Sequence, residues 1–283
     1  NCAEWAQTQF AAAQAGLILV TINPAYRVSE LEFTLNKVGV KALICTEKFK
    51  TSDYVGMINE LAPEIAGSQP GQLKSKRLPE LRHVIQIGGM PGPGWLAFNS
   101  IAEQATGKLA LELEEIASTL DRNDPINIQF TSGTTGLPKG ATLSHRNILN
   151  NAYFVGLGMG LHEGDRLLIP VPLYHCFGMV MGNLACVVHG GTIVYASEGF
   201  EPLAVLKTVQ AERCTALHGV PTMFIAELEH PQFETFDLRS LRTGLMADSP
   251  CPIEVMRKVN DRMHMREVGI AYGMTETSPV SFQ

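Results

Sequence analysis

Short apolar runs of strand length alternate along this chain with longer segments in which apolar residues recur at helical spacing. Such alternation is typical of parallel sheets with helices packed on both faces, so the pattern predicts an α/β fold. Strands are expected at residues 17–22, 41–45, 126–130, 166–169, 192–195, 215–218, 241–246 and 267–271. Helices are expected from the chain start to Gly16, from Ser29 onward, and near residues 147–158, 177–189, 202–212, 222–229 and 252–264.

Polar, glycine-rich and proline-rich positions mark breaks between these elements. Ser29 is followed three residues later by Glu32, which is the spacing of a capping box and predicts a helix start. Residues 63–79 are polar and contain proline and glycine, so they predict a surface loop. Residues 88–94 contain four glycines and two prolines and predict a turn.

Composition narrows the class of protein. The 283 residues are 45% hydrophobic and 18% charged, which excludes a disordered or collagen-like chain. The net charge of −6 disfavours a nucleic-acid partner. Six cysteines without a C-x-x-C pair predict reduced thiols and a cytoplasmic location, or the mitochondrial matrix in a eukaryote. The apolar stretch at residues 178–196 contains polar residues and a glycine pair, so a buried helix and strand explain it better than a transmembrane segment.

The most chemically informative segment, residues 131–140, follows a predicted strand and reads Thr-Ser-Gly-Thr-Thr-Gly-Leu-Pro-Lys-Gly. Its glycines let successive backbone N–H groups turn toward an anion, its hydroxyls can donate to phosphate oxygens, and Lys139 adds a positive charge. The spacing differs from the Walker P-loop, and residues 141–143 predict another strand instead of a helix. The segment therefore predicts a polyphosphate site, with a polar turn that binds nothing as the simpler alternative.

Two further segments follow predicted strands, and open α/β sheets bind ligands at the carboxyl ends of their strands. Residues 271–277 include Thr275, whose hydroxyl can donate to a phosphate, and Glu276, an oxygen ligand suited to Mg²⁺. A helix cap is the alternative for this pair. Residues 172–178 include His175 between aromatic residues, either as a pocket or phosphate contact or as a hydrogen-bonded core histidine.

These three segments resemble the signatures of the adenylate-forming superfamily, which includes acyl-CoA synthetases, luciferases and peptide-synthetase adenylation domains. The resemblance covers the whole chain, and residues 1–26 are similar to the corresponding stretch of fatty acyl-CoA synthetases. Residues 124–151, 172–180 and 249–250 are most similar to the medium-chain branch called acyl-CoA synthetase family member 2 and its bacterial relatives.

The resemblance implies two stacked, mostly parallel sheets with helices on both faces. It identifies the chain as an incomplete large N-terminal domain without the small C-terminal domain. Residues 1–168 are expected to form a first α/β subdomain with the phosphate loop. Residues 169–283 are expected to form a second, truncated subdomain with the acyl pocket and the Tyr-Gly-x-Thr-Glu motif.

The resemblance also implies a two-step reaction that uses ATP, Mg²⁺ and CoA. A carboxylic acid, a medium-chain fatty acid by branch, attacks the α-phosphate to give acyl-adenylate, and the CoA thiolate then displaces AMP. The expected partners are these small molecules, with a homodimer left open. The implied catalytic residues are His175, Lys139, Thr275 and Glu276, with Glu276 on Mg²⁺. The implied nucleotide contacts are Thr131, Ser132, Gly133, Thr134, Thr135, Gly136, Lys139, Asp248, Ser249, Tyr272, Gly273, Met274 and Thr275. The implied acyl-pocket residues are His175, Cys176, Phe177, Gly178, His218, Val220, Gly244 and Met246.

Two features depart from the family pattern. Relatives usually carry Gly where Asp248 stands, and a carboxylate there is expected to weaken nucleotide binding by about 1–4 kcal/mol of charge repulsion. The chain also begins at Asn1 inside a helical pattern and ends soon after Glu276, in what looks like a strand just begun. We interpret it as a fragment and expect little or no turnover from it alone.

Other functions stay open at this stage. An acyl-AMP ligase or another adenylating domain would deliver the acyl group to a carrier protein. Residues 214–220 lack the acidic side chain with which a peptide-synthetase domain holds an amino group. Asp248 is compatible with a non-catalytic nucleotide-binding protein. A nucleic-acid binder has no basic patch or aromatic platform in this sequence.

Overall fold

The computed structural model describes residues 1–131 and 138–283, and helices and strands alternate along both stretches. The expected α/β class with mostly parallel strands is confirmed. The helices are α1 (Ala3–Gln14), α2 (Val28–Lys37), α3 (Tyr54–Leu61), α4 (Phe98–Ala102), α5 (Gly107–Thr119), α6 (His145–Gly158), α7 (Ala185–Val188), α8 (Pro202–Glu212), α9 (Pro221–Leu228) and α10 (Ile253–Arg262). The strands are β1 (Leu19–Thr21), β2 (Ala42–Thr46), β3 (Lys48–Phe49), β4 (Ser52–Asp53), β5 (His83–Ile87), β6 (Leu96–Ala97), β7 (Pro125–Thr131), β8 (Lys139–Ser144), β9 (Arg166–Leu168), β10 (Thr192–Val194), β11 (Ala216–Gly219), β12 (Thr243–Met246), β13 (Glu267–Ile270), β14 (Tyr272–Gly273) and β15 (Val280–Phe282).

The largest sheet is parallel and has five strands in the order β10-β9-β11-β12-β13. A second sheet joins β1 in parallel and β8 antiparallel to the central β7. A third, parallel sheet has the order β2-β5-β6. Two short antiparallel pairs, β3-β4 and β14-β15, complete the strand pairings in the described part of the chain.

The two faces of the five-stranded sheet carry separate hydrophobic clusters. Consecutive strand residues point to opposite faces, and Leu245 therefore joins one cluster while Met246 joins the other. The first cluster packs the sheet against α6 and the segment 177–188, and the second packs it against α8, α9 and α10. This explains why the strands are apolar at nearly every position. A third cluster lies between α2, α3 and the sheet of β2 and β5.

The segment after His175 forms a π-helix, Phe177–Leu184, that continues into α7. The sequence predicted an ordinary helix at residues 177–189 followed by a strand, and both elements are present. None of the helices in the described ranges is long and apolar enough to cross a membrane.

Two local predictions were wrong. Helix α2 does not begin with a Ser29–Glu32 capping box, because the Glu30 carboxylate accepts the backbone N–H of Arg27 at 2.8 Å and the helix starts at Val28. Residues 63–79 are not simply a surface loop. They contain a short 3-10 helix and bury Leu73 and Leu78 in the third cluster, where these apolar side chains pack beneath a polar exterior.

Candidate functional site

Three of the predicted segments meet beyond the carboxyl ends of strands in the five-stranded sheet. His175 follows β9, Asp248 follows β12 and Thr275 follows β13. The carboxylate of Asp248 lies 3.9 Å from Nδ1 of His175. The sulfur of Cys176 lies 3.9 Å from Oγ1 of Thr275. Because parallel strands end at one edge of a sheet, residues that are 99 positions apart come together here.

His175 is held in one orientation by its own loop. Its Nδ1 accepts a hydrogen bond from the backbone N–H of Phe177 at 3.2 Å. A ring nitrogen that accepts in this way carries no proton, so the neutral imidazole has its proton on Nε2. The side chain is 39% exposed, which does not fit a buried core histidine.

Asp248 adopts a left-handed backbone conformation, with φ at 70°. This region is strained for most residues with a Cβ and is the one that glycine enters freely. The side chain is 44% exposed. Burial raises the pKa of the neighbouring Tyr174 hydroxyl, and the negative charge of Asp248 raises it further. Asp248 therefore puts a carboxylate at the same edge of the sheet as His175.

Cys176 lies behind His175 and is buried. Burial raises the pKa of its thiol to about 12, so the sulfur is protonated near neutral pH and is unsuited to act as a nucleophile. Its contact with Thr275 instead joins the His175 loop to the Thr275 segment.

The segment with Thr275 and Glu276 is a short 3-10 helix, Thr275–Thr277, enclosed by the β14-β15 pair. Thr275 is buried and Glu276 is exposed. A Cβ on Gly273 would lie 1.9 Å from the carbonyl oxygen of Pro279, so only glycine fits this close approach. The amide of Asn151 on α6 donates to the Val280 carbonyl at 2.8 Å and accepts its N–H at 3.1 Å, which fixes the returning strand.

Lys139 is exposed at the start of β8, opposite Thr131 at the end of β7. Strand β8 also contacts the 3-10 helix Thr275–Thr277. The strand that follows the predicted phosphate loop therefore lies next to the Thr275 segment. The predicted contacts Ser132, Gly133, Thr134, Thr135 and Gly136 fall outside the described residues.

The predicted acyl-pocket residues are mostly buried beside this edge. Phe177 and His218 pack together, with ring centroids 5.2 Å apart. Val220 packs against the same cluster as Phe177, whereas Met246 belongs to the cluster on the other face of the sheet. A Cβ on Gly178 would lie 2.4 Å from the Pro172 carbonyl oxygen, and one on Gly244 would lie 1.9 Å from the Leu217 carbonyl oxygen. Ser249, Tyr272 and Met274, which the sequence assigned to the nucleotide, are exposed.

A polar network at the start of the chain positions the His175 loop, and sequence analysis missed it. The amide nitrogen of Asn1 donates to the Ile169 and Val171 carbonyls, each at 2.9 Å. Gln9 on α1 accepts from the Asn183 amide at 3.0 Å, and Asn183 accepts from the Tyr195 hydroxyl at 2.6 Å. The only signal available in advance was a polar residue, Asn183, within an apolar run.

An α/β fold with polar segments converging at the carboxyl edge of its parallel sheet is an architecture that binds ligands at that edge. The chain belongs to the family described as AMP-binding enzyme, which matches residues 1–283.

Two curated relatives narrow the comparison. The chain is 46% identical over 284 residues to the medium-chain acyl-CoA ligase ACSF2, mitochondrial, of Danio rerio, covering 100% of this chain and 47% of the relative. It is 44% identical over 287 residues to the protein of the same name from Homo sapiens, covering 100% of this chain and 46% of that one. The chain thus spans about half the length of the curated relatives that it matches.

A solved structure shares the fold. The anthranilate CoA ligase AuaEII in complex with anthranoyl-AMP superposes with a TM-score of 0.79, covering 99% of this chain and 50% of that one. Because the two sequences are 24% identical, this likeness shows the common fold alone.

Proposed function

We propose that this chain forms the nucleotide- and acid-binding part of an AMP-forming fatty acid–CoA ligase. The carrying observation is the convergence of His175 and Thr275 at one edge of the sheet, beside the strand that begins with Lys139. The reaction is activation of a carboxylic acid by ATP to an acyl-adenylate, followed by thioester formation with CoA. A medium-chain fatty acid is the proposed acid, supported by the names of the two curated relatives.

Attack of a carboxylate on the α-phosphate gathers negative charge around phosphorus, so fixed donors and positive charge should dominate catalysis. The ammonium group of Lys139 and the hydroxyls of Thr131 and Thr275 would meet phosphate oxygens. His175 has its proton on Nε2, because Nδ1 accepts from the Phe177 N–H, and Nε2 would donate a hydrogen bond to the phosphate oxygens at the reaction centre. We assign Thr131–Gly136, Asp248–Ser249 and Tyr272–Met274 to the nucleotide, as the sequence suggests.

Glu276 is the proposed magnesium ligand. Mg²⁺ takes one or two carboxylates together with substrate phosphates, so a single exposed Glu beside the phosphate donors fits its chemistry. When bound, the ion would neutralise phosphate charge.

Further parts of the proposal concern organisation. We keep the division into a phosphate-loop subdomain at residues 1–168 and an acyl-pocket subdomain at residues 169–283. Six cysteines without a disulfide in the structure support a reducing compartment, either the cytoplasm or the mitochondrial matrix. A homodimer is an open element of the proposal.

Thermal unfolding of this chain with and without Mg-ATP tests the nucleotide role. We expect Mg-ATP to raise the Tm of the wild type, and Lys139→Ala and Glu276→Gln to reduce that shift. Lys108→Ala is the matched control, because Lys108 lies on α5 with 84% of its side chain exposed. An equal shift in all four proteins, or no shift in the wild type, would contradict the assignment.

A further inference from the structure

His218 lies near the carboxyl end of β11, the middle strand of the five-stranded sheet, and its side chain is fully buried. Its Nε2 is 3.0 Å from the carbonyl oxygen of Met181 in the π-helix. A carbonyl can only accept, so Nε2 carries the proton and Nδ1 presents a lone pair. Burial lowers the pKa of the imidazole to about 4, which keeps the ring neutral near pH 7.

The Nδ1 atom has no hydrogen-bond partner among the described residues. A buried acceptor without a donor costs free energy, and an apolar side chain would fill the same space without that cost. Such a group in a folded protein calls for an explanation, and a donor brought by a ligand is one. Another unpartnered buried atom on this sheet, Nε of Arg166, lies at the opposite, amino-terminal edge.

The surroundings of His218 connect it to the proposed reaction centre. The ring of Phe177 packs on His218 with centroids 5.2 Å apart and planes inclined by 39°. The backbone N–H of the same Phe177 donates to His175. Phe177 therefore contacts both His218, which has the unpartnered Nδ1, and His175, whose imidazole we assign to the reaction centre.

We propose that Nδ1 of His218 accepts a hydrogen bond from the acid substrate, and that the preferred acid carries a hydroxyl on its chain. This inference rests on the proposed function, because it assumes that an acyl chain enters beside Phe177. A saturated chain would leave Nδ1 unpartnered, whereas a hydroxyl would satisfy it. His218 would then be a specificity-determining residue that selects hydroxylated over plain fatty acids.

Calorimetric binding to the wild-type chain tests the selection. The probes are N-octanoyl-sulfamoyl-adenosine, a stable acyl-adenylate analogue, and a series that differs only by one hydroxyl at successive carbons. We expect one position to bind about ten-fold more tightly than the plain octanoyl analogue. If the plain octanoyl analogue binds and no hydroxyl position raises the affinity, the inference is overturned and the proposed function stands. Absence of binding by every analogue would instead count against the proposed function and, with it, the inference.

Two variants separate selection from a structural role. His218→Phe keeps an aromatic ring against Phe177 and removes the acceptor, so the ratio of the affinities for the hydroxylated and the plain analogue should fall from about ten to about one. His218→Gln keeps an N–H for Met181 and an acceptor, and part of the gain should remain. Equal weakening of plain and hydroxylated analogues in His218→Phe would contradict selection. If that variant fails to fold, the wild-type series alone decides.

Discussion

The carboxylate of Asp248 lies 3.9 Å from Nδ1 of His175, and the backbone of Asp248 is left-handed with φ at 70°. Asp248 is therefore unfavourable in two ways, through its backbone conformation and through its charge. The backbone conformation favours glycine, and the side chain puts a negative charge where we expect phosphates to bind. That Asp248 weakens nucleotide binding stays a prediction from the sequence, and the position of this carboxylate shows how to test it.

Replacing Asp248 should separate its charge from its backbone strain. Asp248→Asn removes the charge and keeps the shape, and it should tighten ATP binding about five-fold, which corresponds to about 1 kcal/mol of relieved repulsion at a solvent-exposed site. Adenosine carries no phosphate and should bind both proteins equally. Calorimetry with the two ligands measures this, and unchanged ATP affinity in Asp248→Asn would disprove the repulsion.

Asp248→Gly should add a gain in stability to the gain in affinity. Glycine relieves the left-handed strain, and this outweighs its greater freedom in the unfolded chain, so we expect about 0.5–1 kcal/mol more unfolding free energy. Urea unfolding of the Gly and Asn variants gives the comparison. If Gly is no more stable than Asn, the strain is not stored at this position.

The buried carboxyl of Glu227 should make the free energy of unfolding depend on pH. Its carboxyl is buried on α9, Oε2 has no partner among the described residues, and burial raises its pKa well above the usual value. The unfolded carboxyl ionises near about pH 4.3, so above that pH the folded state binds more protons and stability falls as pH rises. Glu227→Gln should remove this slope.

Urea unfolding at pH 5 and pH 8 measures the effect of Glu227. Relative to the wild type, Glu227→Gln should gain more unfolding free energy at pH 8 than at pH 5. Glu229→Gln, two residues away and exposed, is the control and should show no such difference. The same change at both pH values in Glu227→Gln would mean that its carboxyl does not titrate in this way.

Asp165 lies at the amino-terminal edge of the large sheet. The pH dependence that it gives to stability has the opposite sign to that of Glu227. Burial alone would raise its pKa, but hydrogen bonds from Thr215, the His162 N–H and Arg242 lower it overall. Its contribution to stability is therefore present above the unfolded pKa of about 3.9 and is lost as pH falls through the folded value. Arg242 donates to this carboxylate at 2.5 Å.

Arg242→Met should cost about 3 kcal/mol of unfolding free energy at pH 7, because it leaves a buried carboxylate without its cation. Glu267→Gln removes the exposed partner of the same guanidinium, 2.9 Å away, and should cost less than about 1 kcal/mol. Chemical unfolding of the two variants compares them. Similar losses would show that the buried pair contributes no more than the exposed one.

Much of the site was predictable because each of its segments begins where an apolar run ends. The strands before His175 and Thr275, and strands β7 and β8 on either side of residues 132–137, follow from that local pattern. The contact between His175 and Asp248 does not, because it depends on the order β9-β11-β12 of strands that are distant in sequence. The capping of α2 was misjudged because Arg27 with Glu30 has the same three-residue spacing as Ser29 with Glu32.

Gly178 tests whether the loop before the π-helix shapes the site. A Cβ there would meet the backbone carbonyl of Pro172, so Gly178→Ala should displace the His175 loop, cost about 3 kcal/mol and weaken ligand binding. A Cβ on Gly182 would meet the end of the Ile169 side chain at 2.9 Å, which can move, so Gly182→Ala should cost about 1 kcal/mol. Urea unfolding and calorimetry measure both, and equal effects would contradict the role of the loop.

Calorimetric titration of this chain with N-octanoyl-sulfamoyl-adenosine tests the central claim most directly. The account predicts saturable binding at one site, weakened about ten-fold by Thr275→Val and unaffected by Lys108→Ala. Binding that is absent in the wild type, and stays absent in Asp248→Gly, would contradict the claim that this edge of the sheet binds an acyl-adenylate.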